Sequence, residues 1–203
     1  VTRERTDLRD TARFLHSVFG VEKFRDPRYL EWFYRQNPDG EAVEIEWRDA
    51  SDIVAHVAGI PQVYHSRTRV FASVFPLNLS VGAAARGRGL MTKVSEACFD
   101  EWLQVHGDGI IVGMPNAAST PGYTGRLGCR LVGPLPVVIC PPVWPDLSPV
   151  VSVDATPEWR NGPDFDALAA SLDFAPTERL SQRYSSDVLR WRLAAPNARY
   201  AVH

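Results

Sequence analysis

Between Leu77 and Val94 the chain passes through an alternating apolar strand, a small-residue turn carrying Arg86-Gly-Arg-Gly89, and the start of an amphipathic helix. A glycine-rich turn feeding a helix N-terminus leaves backbone N–H groups that no intrahelical carbonyl can satisfy. The local chemistry therefore asks for an anion, and a phosphate suits it. Gly87 and Gly89 permit positive φ and close approach of the backbone to a ligand, while Arg86 and Arg88 bring charge alongside. The plainer alternative is a solvated turn that caps a helix. An arginine-glycine RNA-binding tail is disfavoured, because such sequences come as repeats in disordered tracts and this single copy lies between a strand and a helix.

The flanking pattern supplies the frame. Asp7 suits an N-cap, and Leu8, Ala12, Leu15 and Phe19 repeat at helical spacing until Gly20. Asp26-Pro27 predicts a second helix, with Tyr29, Leu30, Phe33 and Tyr34 on one stripe and a stop at Asn37-Pro38-Asp39-Gly40. Ala42–Trp47 and Asp52–Ala58 read as an antiparallel hairpin, and a third strand is expected from about Thr68. In it Phe71, Phe75, Leu77, Leu79 and Val81 should share one face, leaving Asn78 and Ser80 on the other, toward a cleft. After Gly89 the stripe Leu90, Val94, Ala97, Cys98, Trp102 and Val105 predicts a helix packed on the sheet and closed by His106-Gly107. Gly109–Gly113 suits a buried parallel strand, Asn116 a helix cap, and Cys129–Val132 and Val137–Ile139 further strands.

A chain of 203 residues, 45% hydrophobic, has ample apolar surface for a core. Its net charge of -2 offers no general basic field, which argues against nucleic acid and anionic membranes as partners. The longest apolar runs, such as Leu135–Cys140, fall far short of a membrane span, and no charged-then-apolar leader opens the sequence, so a soluble, cytoplasmic protein is expected. Cys98, Cys129 and Cys140 show no CxxC spacing, so neither a metal site nor a disulfide framework is expected. A first residue that is Val and a strand-like run up to His203 suggest a fragment or a trimmed chain.

The segment from Gly113 to Cys129, with Asn116, Tyr123 and Leu127-Gly128, joins the phosphate turn in a family resemblance. The pair resembles the GNAT superfamily of acyl-CoA-dependent N-acyltransferases. That family's pyrophosphate motif is Gln/Arg-x-x-Gly-x-Gly/Ala; Arg86 and Gly89 match its first and fourth positions and Met91 departs from its sixth. Its second signature is an Asn opening the next helix, a Tyr seven residues on and a Leu-Gly-aromatic ending, where Cys129 replaces the aromatic. The spacing from Tyr123 to Gly128 is one residue longer than the commonest family spacing, which would put Thr124 where a catalytic Tyr is expected. The resemblance implies an α/β (α+β) fold: a mixed, mostly antiparallel sheet flanked by helices, with a splayed cleft between the strand ending at Gly82 and the strand 109–113.

It also implies acetyl-CoA or another acyl-CoA as co-substrate and a small-molecule primary amine as acceptor, and it leaves a homodimer open. Carried onto this sequence, Leu79 and Val81 offer backbone groups to pantetheine, Arg86, Gly87, Arg88, Gly89, Leu90 and Met91 cradle the pyrophosphate, and Asn116 contacts the pantetheine arm or caps its helix. Tyr123 is the candidate acid for the leaving thiolate. The N–H of Val81 or its neighbour would polarise the thioester, helped by a bulge at Val81-Gly82-Ala83. The base is unassigned: His56 and His65 are the nearest groups whose ordinary pKa suits the task, a structural role competes for each, and a water relay is the other route. Trp32, Tyr34, Trp47 and Tyr64 are expected either in the core or around an acceptor pocket. A non-catalytic acyl-CoA-binding domain is the alternative. Residues 1–140 are expected to form the acyltransferase domain and 141–203 an appendage, in which Leu189-x-Trp191, a proline turn and a strand echo Leu30-x-Trp32 and the proline turn and strand after it, as the opening of a second GNAT-like half would.

Overall fold

The structure, a computed structural model, describes residues 7–133, 152–172 and 175–202. The expected strand at Val137–Ile139 and Cys140 lie outside them. Helix α1, Leu8–Phe19, begins on Asp7, whose carboxylate accepts the Arg9 N–H, and ends at Gly20. Helix α2, Pro27–Leu30, begins in the same way on Asp26 and runs on as a π-type turn over Glu31–Arg35. Strands β1 Val43–Asp49, β2 Asp52–His65 and β3 Val70–Val81 follow in antiparallel order. Then come α3 Leu90–His106, β4 Ile110–Ile111 parallel to β3, and α4 Thr120–Gly125.

The C-terminal segment forms β5 Val153–Asp154, α5 Pro157–Arg160, α6 Pro163–Ser171, β6 Ser181–Gln182, α7 Ser186–Leu193 and β7 Ala201–Val202. The sheet runs β1-β2-β3-β4, β6 joins it at the far end of β2 opposite Tyr64 and His65, and β5 and β7 make a separate pair. This is the mixed, mostly antiparallel, helix-flanked sheet expected.

Two clusters bury its faces. Ala55, Val57, Leu90, Val94, Cys98 and Phe99 pack on the α3 side. Leu15, Leu30, Tyr34, Ala58, Ile60 and Phe75 pack on the α1–α2 side. Strand β2 outruns the expected Asp52–Ala58 because both its faces are buried from Ala55 to Pro61, so simple alternation fades while the strand continues.

Three expectations change. The odd positions of β3 do not share a face: Phe75 and Leu77 pack on the α1–α2 side, Leu79 and Val81 on the α3 side. The cause is a β-bulge. Ser80 pairs with His56 and Leu77 with Ala58, so Asn78 and Leu79 together stand opposite Val57, and Asn78 takes φ 52°. Val105 is 75% exposed and leaves the helix stripe. Cys129–Val132 forms no strand: α4 ends in a turn that returns the Cys129 N–H to the Tyr123 carbonyl, and Leu131 and Val132 are exposed.

The C-terminal segment is docked by a reciprocal contact. Trp32 Nε1 donates to the Trp191 carbonyl at 2.9 Å, Trp191 Nε1 donates to the Trp32 carbonyl at 3.0 Å, and the two rings stack at 5.0 Å.

Candidate functional site

The sheet opens where the chemistry is expected. Strand β4 pairs with β3 only at Ser73 and Val74, with one further bond from the Val112 N–H to the Val74 carbonyl. Beyond it, among the described residues, no strand covers the β4-facing edge of β3 from Leu77 to Val81. Five residues of open edge can accept an extended ligand as an added strand. The bulge falls within this stretch, three residues before the place expected. At Gly82 the ladder is intact instead, its N–H donating to the Val54 carbonyl at 2.9 Å.

A turn at Ala83–Ala85 then leads to the loop, where Gly87 and Gly89 take φ 79° and 71°. Gly89 is the N-cap of α3 and offers no side chain to its amides, and a Cβ built on either glycine meets nothing within 4 Å. The first-turn N–H groups of this 17-residue helix thus have no side-chain cap, under a dipole that favours an anion. Arg86 is exposed and pairs with no carboxylate among the described residues. Arg88 is held by Asp49 through contacts of 2.5 and 3.2 Å. The Leu90 side chain is buried, which leaves only its backbone for a ligand. Met91, at the motif position usually small, lies over α4 where residue 122 is glycine: a Cβ there would stand 2.8 Å from Met91 Cε. The bulk lost on one helix makes room for bulk on the other.

Asn116 is exposed and ties the turn before α4, its Oδ1 accepting from the Ser119 N–H at 3.0 Å and its carbonyl from the Thr120 N–H. Tyr123 points inward. It is 8% exposed, packs against Phe99 and shares its cluster with Leu79 and Val81. Burial pushes its phenol up to about 12, opposed by the nearby Ser95 hydroxyl, which itself lacks a hydrogen bond of normal geometry. Thr124 points outward and bonds the Thr120 carbonyl.

The opposite face carries a buried polar chain whose connections were not visible in the sequence. Asn78 Nδ2 donates to the Tyr34 hydroxyl at 2.7 Å, and that hydroxyl contacts His56 Nε2 at 3.2 Å. With its lone pair engaged by Asn78, Tyr34 donates to His56, so the imidazole proton belongs on Nδ1. That atom faces Glu46 Oε1 at 3.9 Å, too far for a hydrogen bond. Glu46 accepts instead from Thr11 and Arg48. Tyr34 and His56 are fully buried and Glu46 is 1% exposed. Burial lowers the His56 pKa to about 3, so the ring is neutral and cannot reach solvent as a base. His65 sits at the far end of β2 beside β6. Neither histidine serves the open edge. One signal could have exposed this network: Asn78 is a polar residue, tolerant of positive φ, in an apolar strand just before the motif.

A cavity of about 230 Å³ opens on the same side. Leu77 of β3 and Met114 beyond β4 line it from either side of the strand gap, Asp39 from the turn after α2, Gln62 from β2, and Trp191 and Arg192 from α7. Tyr64 lines it too, whereas Tyr34 lies in the core and Trp47 packs on the α3 side.

No protein-family model matches the sequence, and no curated relative does either. Solved structures do match. Glucosamine-6-phosphate N-acetyltransferase from Arabidopsis thaliana superposes with TM-score 0.51 at 16% identity over 67% of this chain and 95% of that one. An acetyltransferase from Trypanosoma brucei gives 0.51 at 18% over 66% and 93%. AAC(6')-Iy, in complex with the bisubstrate analog CoA-S-monomethyl-acetylneamine, gives 0.53 at 11% over 66% and 91%. At such identities the likeness is one of architecture, and on that ground this chain has the fold of the GNAT N-acetyltransferases.

Proposed function

We propose that the chain is an acyl-CoA-dependent N-acyltransferase of the GNAT superfamily that transfers its acyl group directly to a primary amine. The open edge of β3, ending in an unoccluded glycine loop at a helix N-terminus, is the observation that carries this reading. Pantetheine would pair with Leu79 and Val81, the amides from Arg86 to Met91 would hold the pyrophosphate with the Arg86 guanidinium, and Asn116 would flank the arm. The unladdered backbone at Asn78–Leu79 is the place for the donor that polarises the thioester carbonyl. The neutral amine attacks that carbonyl, the C–N bond forms as the C–S bond breaks, and the ammonium proton leaves to a base or to water. Tyr123 supplies the proton taken by the thiolate. Its burial beside Leu79 and Val81 supports the placement. The same burial, with His56 sealed off, favours the second reading, an acyl-CoA-binding domain without turnover.

Calorimetric titration with acetyl-CoA and CoA, followed by thiol-release assays over a panel of amines, separates the two. Saturable binding with turnover is expected, and Tyr123→Phe should lower kcat by about 10²-fold with little change in acyl-CoA affinity. Binding without turnover of any amine would select the second reading.

On the same footing, residues 163–202 are read as the opening of a second GNAT-like half. Helices α6 and α7 repeat the order of α1 and α2, Ser185 caps α7 as Asp26 caps α2, and the paired tryptophans contact each other reciprocally, as equivalent residues about a two-fold axis do.

A further inference from the structure

Apart from Leu77 at the open edge, the lining of the cavity on the α2 side lies outside the residues proposed to hold acyl-CoA, and it carries both signs of charge. Asp39 sits in the turn after α2, fixed by its own N–H bonding Asn37 Oδ1 at 3.1 Å. It is partly buried, which raises its carboxyl pKa, while the charge of Arg183, a hydrogen bond from the Val63 N–H and the charge of Arg192 act in the other direction. Gln62 Oε1, in the same lining, is buried without a hydrogen-bond partner. Arg192 reaches in from α7 with its guanidinium 5.5 Å from the Tyr184 ring, and among the described residues it pairs with no carboxylate. Asp39 and Arg192 feel each other's charge yet form no ion pair, so the guanidinium stays available to a third body, and the Asp39 carboxylate, which accepts from the Val63 N–H, keeps acceptor capacity for one. A carboxylate beside an orphaned carbonyl oxygen asks for a cation rich in N–H donors. An unpaired guanidinium asks for a carboxylate or phosphate.

We propose that this cavity receives the acyl acceptor, and that the acceptor is a small amine that also bears an anionic group, with its ammonium on Asp39 and Gln62 and its anion on Arg192. The proposal rests on the acyltransferase reading above. The cavity reaches the strand gap through Leu77 and Met114, so an amine held there lies on the opposite side of the sheet from α3, where it can meet a thioester threaded between β3 and β4. Its volume, about 230 Å³, leaves room for a single ring or short chain. Strand β6 and helix α7 supply one wall, so selectivity for the acceptor belongs in part to the C-terminal segment.

The test uses the full chain and matched probes: glucosamine 6-phosphate against glucosamine, and β-alanine against propylamine. Titration with CoA comes first, and failure to bind it would sink the acyltransferase reading whatever the acceptor. Each probe is then titrated calorimetrically into CoA-saturated protein. The anionic member of at least one pair should bind ten or more times tighter than its partner. Arg192→Leu should erase that advantage, and Asp39→Asn should weaken the anionic member at least tenfold, with melting curves confirming that both variants fold. Equal or tighter binding of the neutral members, a preference that survives Arg192→Leu, or no amine binding to a protein that binds CoA would each overturn the acceptor assignment.

Discussion

The two sides of this sheet are built by different means. On the α3 side the proposed cofactor site is backbone: two left-handed glycines, the bare amides of a helix start and an open strand edge, contiguous in sequence from Leu77 to Met91. On the α1–α2 side everything polar is side chain. Thr11, Tyr34, Glu46, His56 and Asn78 come from five elements and meet in a chain of contacts under the same bulge. The first kind of site is solvent-facing at its loop, with Arg88 alone among its side chains tied to a carboxylate of the described residues, and dependent on conformation. The second is buried, hydrogen-bonded at every member though not at His56 Nδ1, and dependent on packing. The cofactor side should therefore lose function without losing stability when altered, and the network side should lose both together.

The largest effect is expected at the loop. Gly89→Val places a β-branched residue where φ is 71° and a side chain where phosphate would lie, and should remove measurable CoA binding. Arg86→Ala deletes one charge-assisted contact of about 1.5–3 kcal/mol, roughly a 10- to 150-fold weakening. Arg88→Ala should cost less than Arg86→Ala, because Arg88 must first leave Asp49. Calorimetry with CoA checks the order, alongside melting temperatures that should stay near the parent's for the two arginine variants. If Arg86→Ala and Gly89→Val bound CoA as the parent does, the cradle assignment would fail.

Legibility in the sequence divides along the same line. The loop and α3 were readable because left-handed φ and a bare helix start nearly dictate glycine, and those demands act on neighbours in the chain. The strand gap was readable through the family resemblance. The bulge was not: a one-residue shift leaves the alternation of β3 looking regular while it exchanges the faces of Leu77 and Leu79. Nor was the polar network, since no local rule links Thr11 to Glu46 or Tyr34 to Asn78 across 35 and 44 residues. The echo around Trp191 was visible, but its docking on Trp32 required coordinates.

A middle-sized effect tests whether the network holds the bulge. Tyr34→Phe leaves the Asn78 amide and His56 Nε2 without their partner, costing about 1–3 kcal/mol of stability. Asn78→Gly relieves positive φ but drops the same bond, so its net change should be smaller. If the hydroxyl acts through Asn78, the double variant should be less destabilised than the sum of the singles, and turnover should fall in Tyr34→Phe. Strict additivity, with full turnover in Tyr34→Phe, would make the network a packing feature unrelated to the open edge.

The effect that is smallest near neutral pH is a pH dependence. His56 titrates near 6.5 when unfolded and at about 3 when folded, so below pH 6.5 the unfolded chain binds the extra proton and stability falls with falling pH, by at most about 1.4 kcal/mol per unit. Glu44, on the same face and paired with Arg35, works in the opposite sense. Burial raises it to about 7, so between 4.5 and 7 the folded chain binds the extra proton and stability falls as pH rises. In the parent the two slopes largely offset each other between pH 4.5 and 6.5. His56→Gln removes one of them, and denaturant titrations should show the variant gaining on the parent as pH is lowered from 6.5, with Glu44 cancelling in the difference. A flat difference curve would mean that the native imidazole takes up protons at its ordinary pKa. His56 would then be open to solvent and return as a candidate for the missing base.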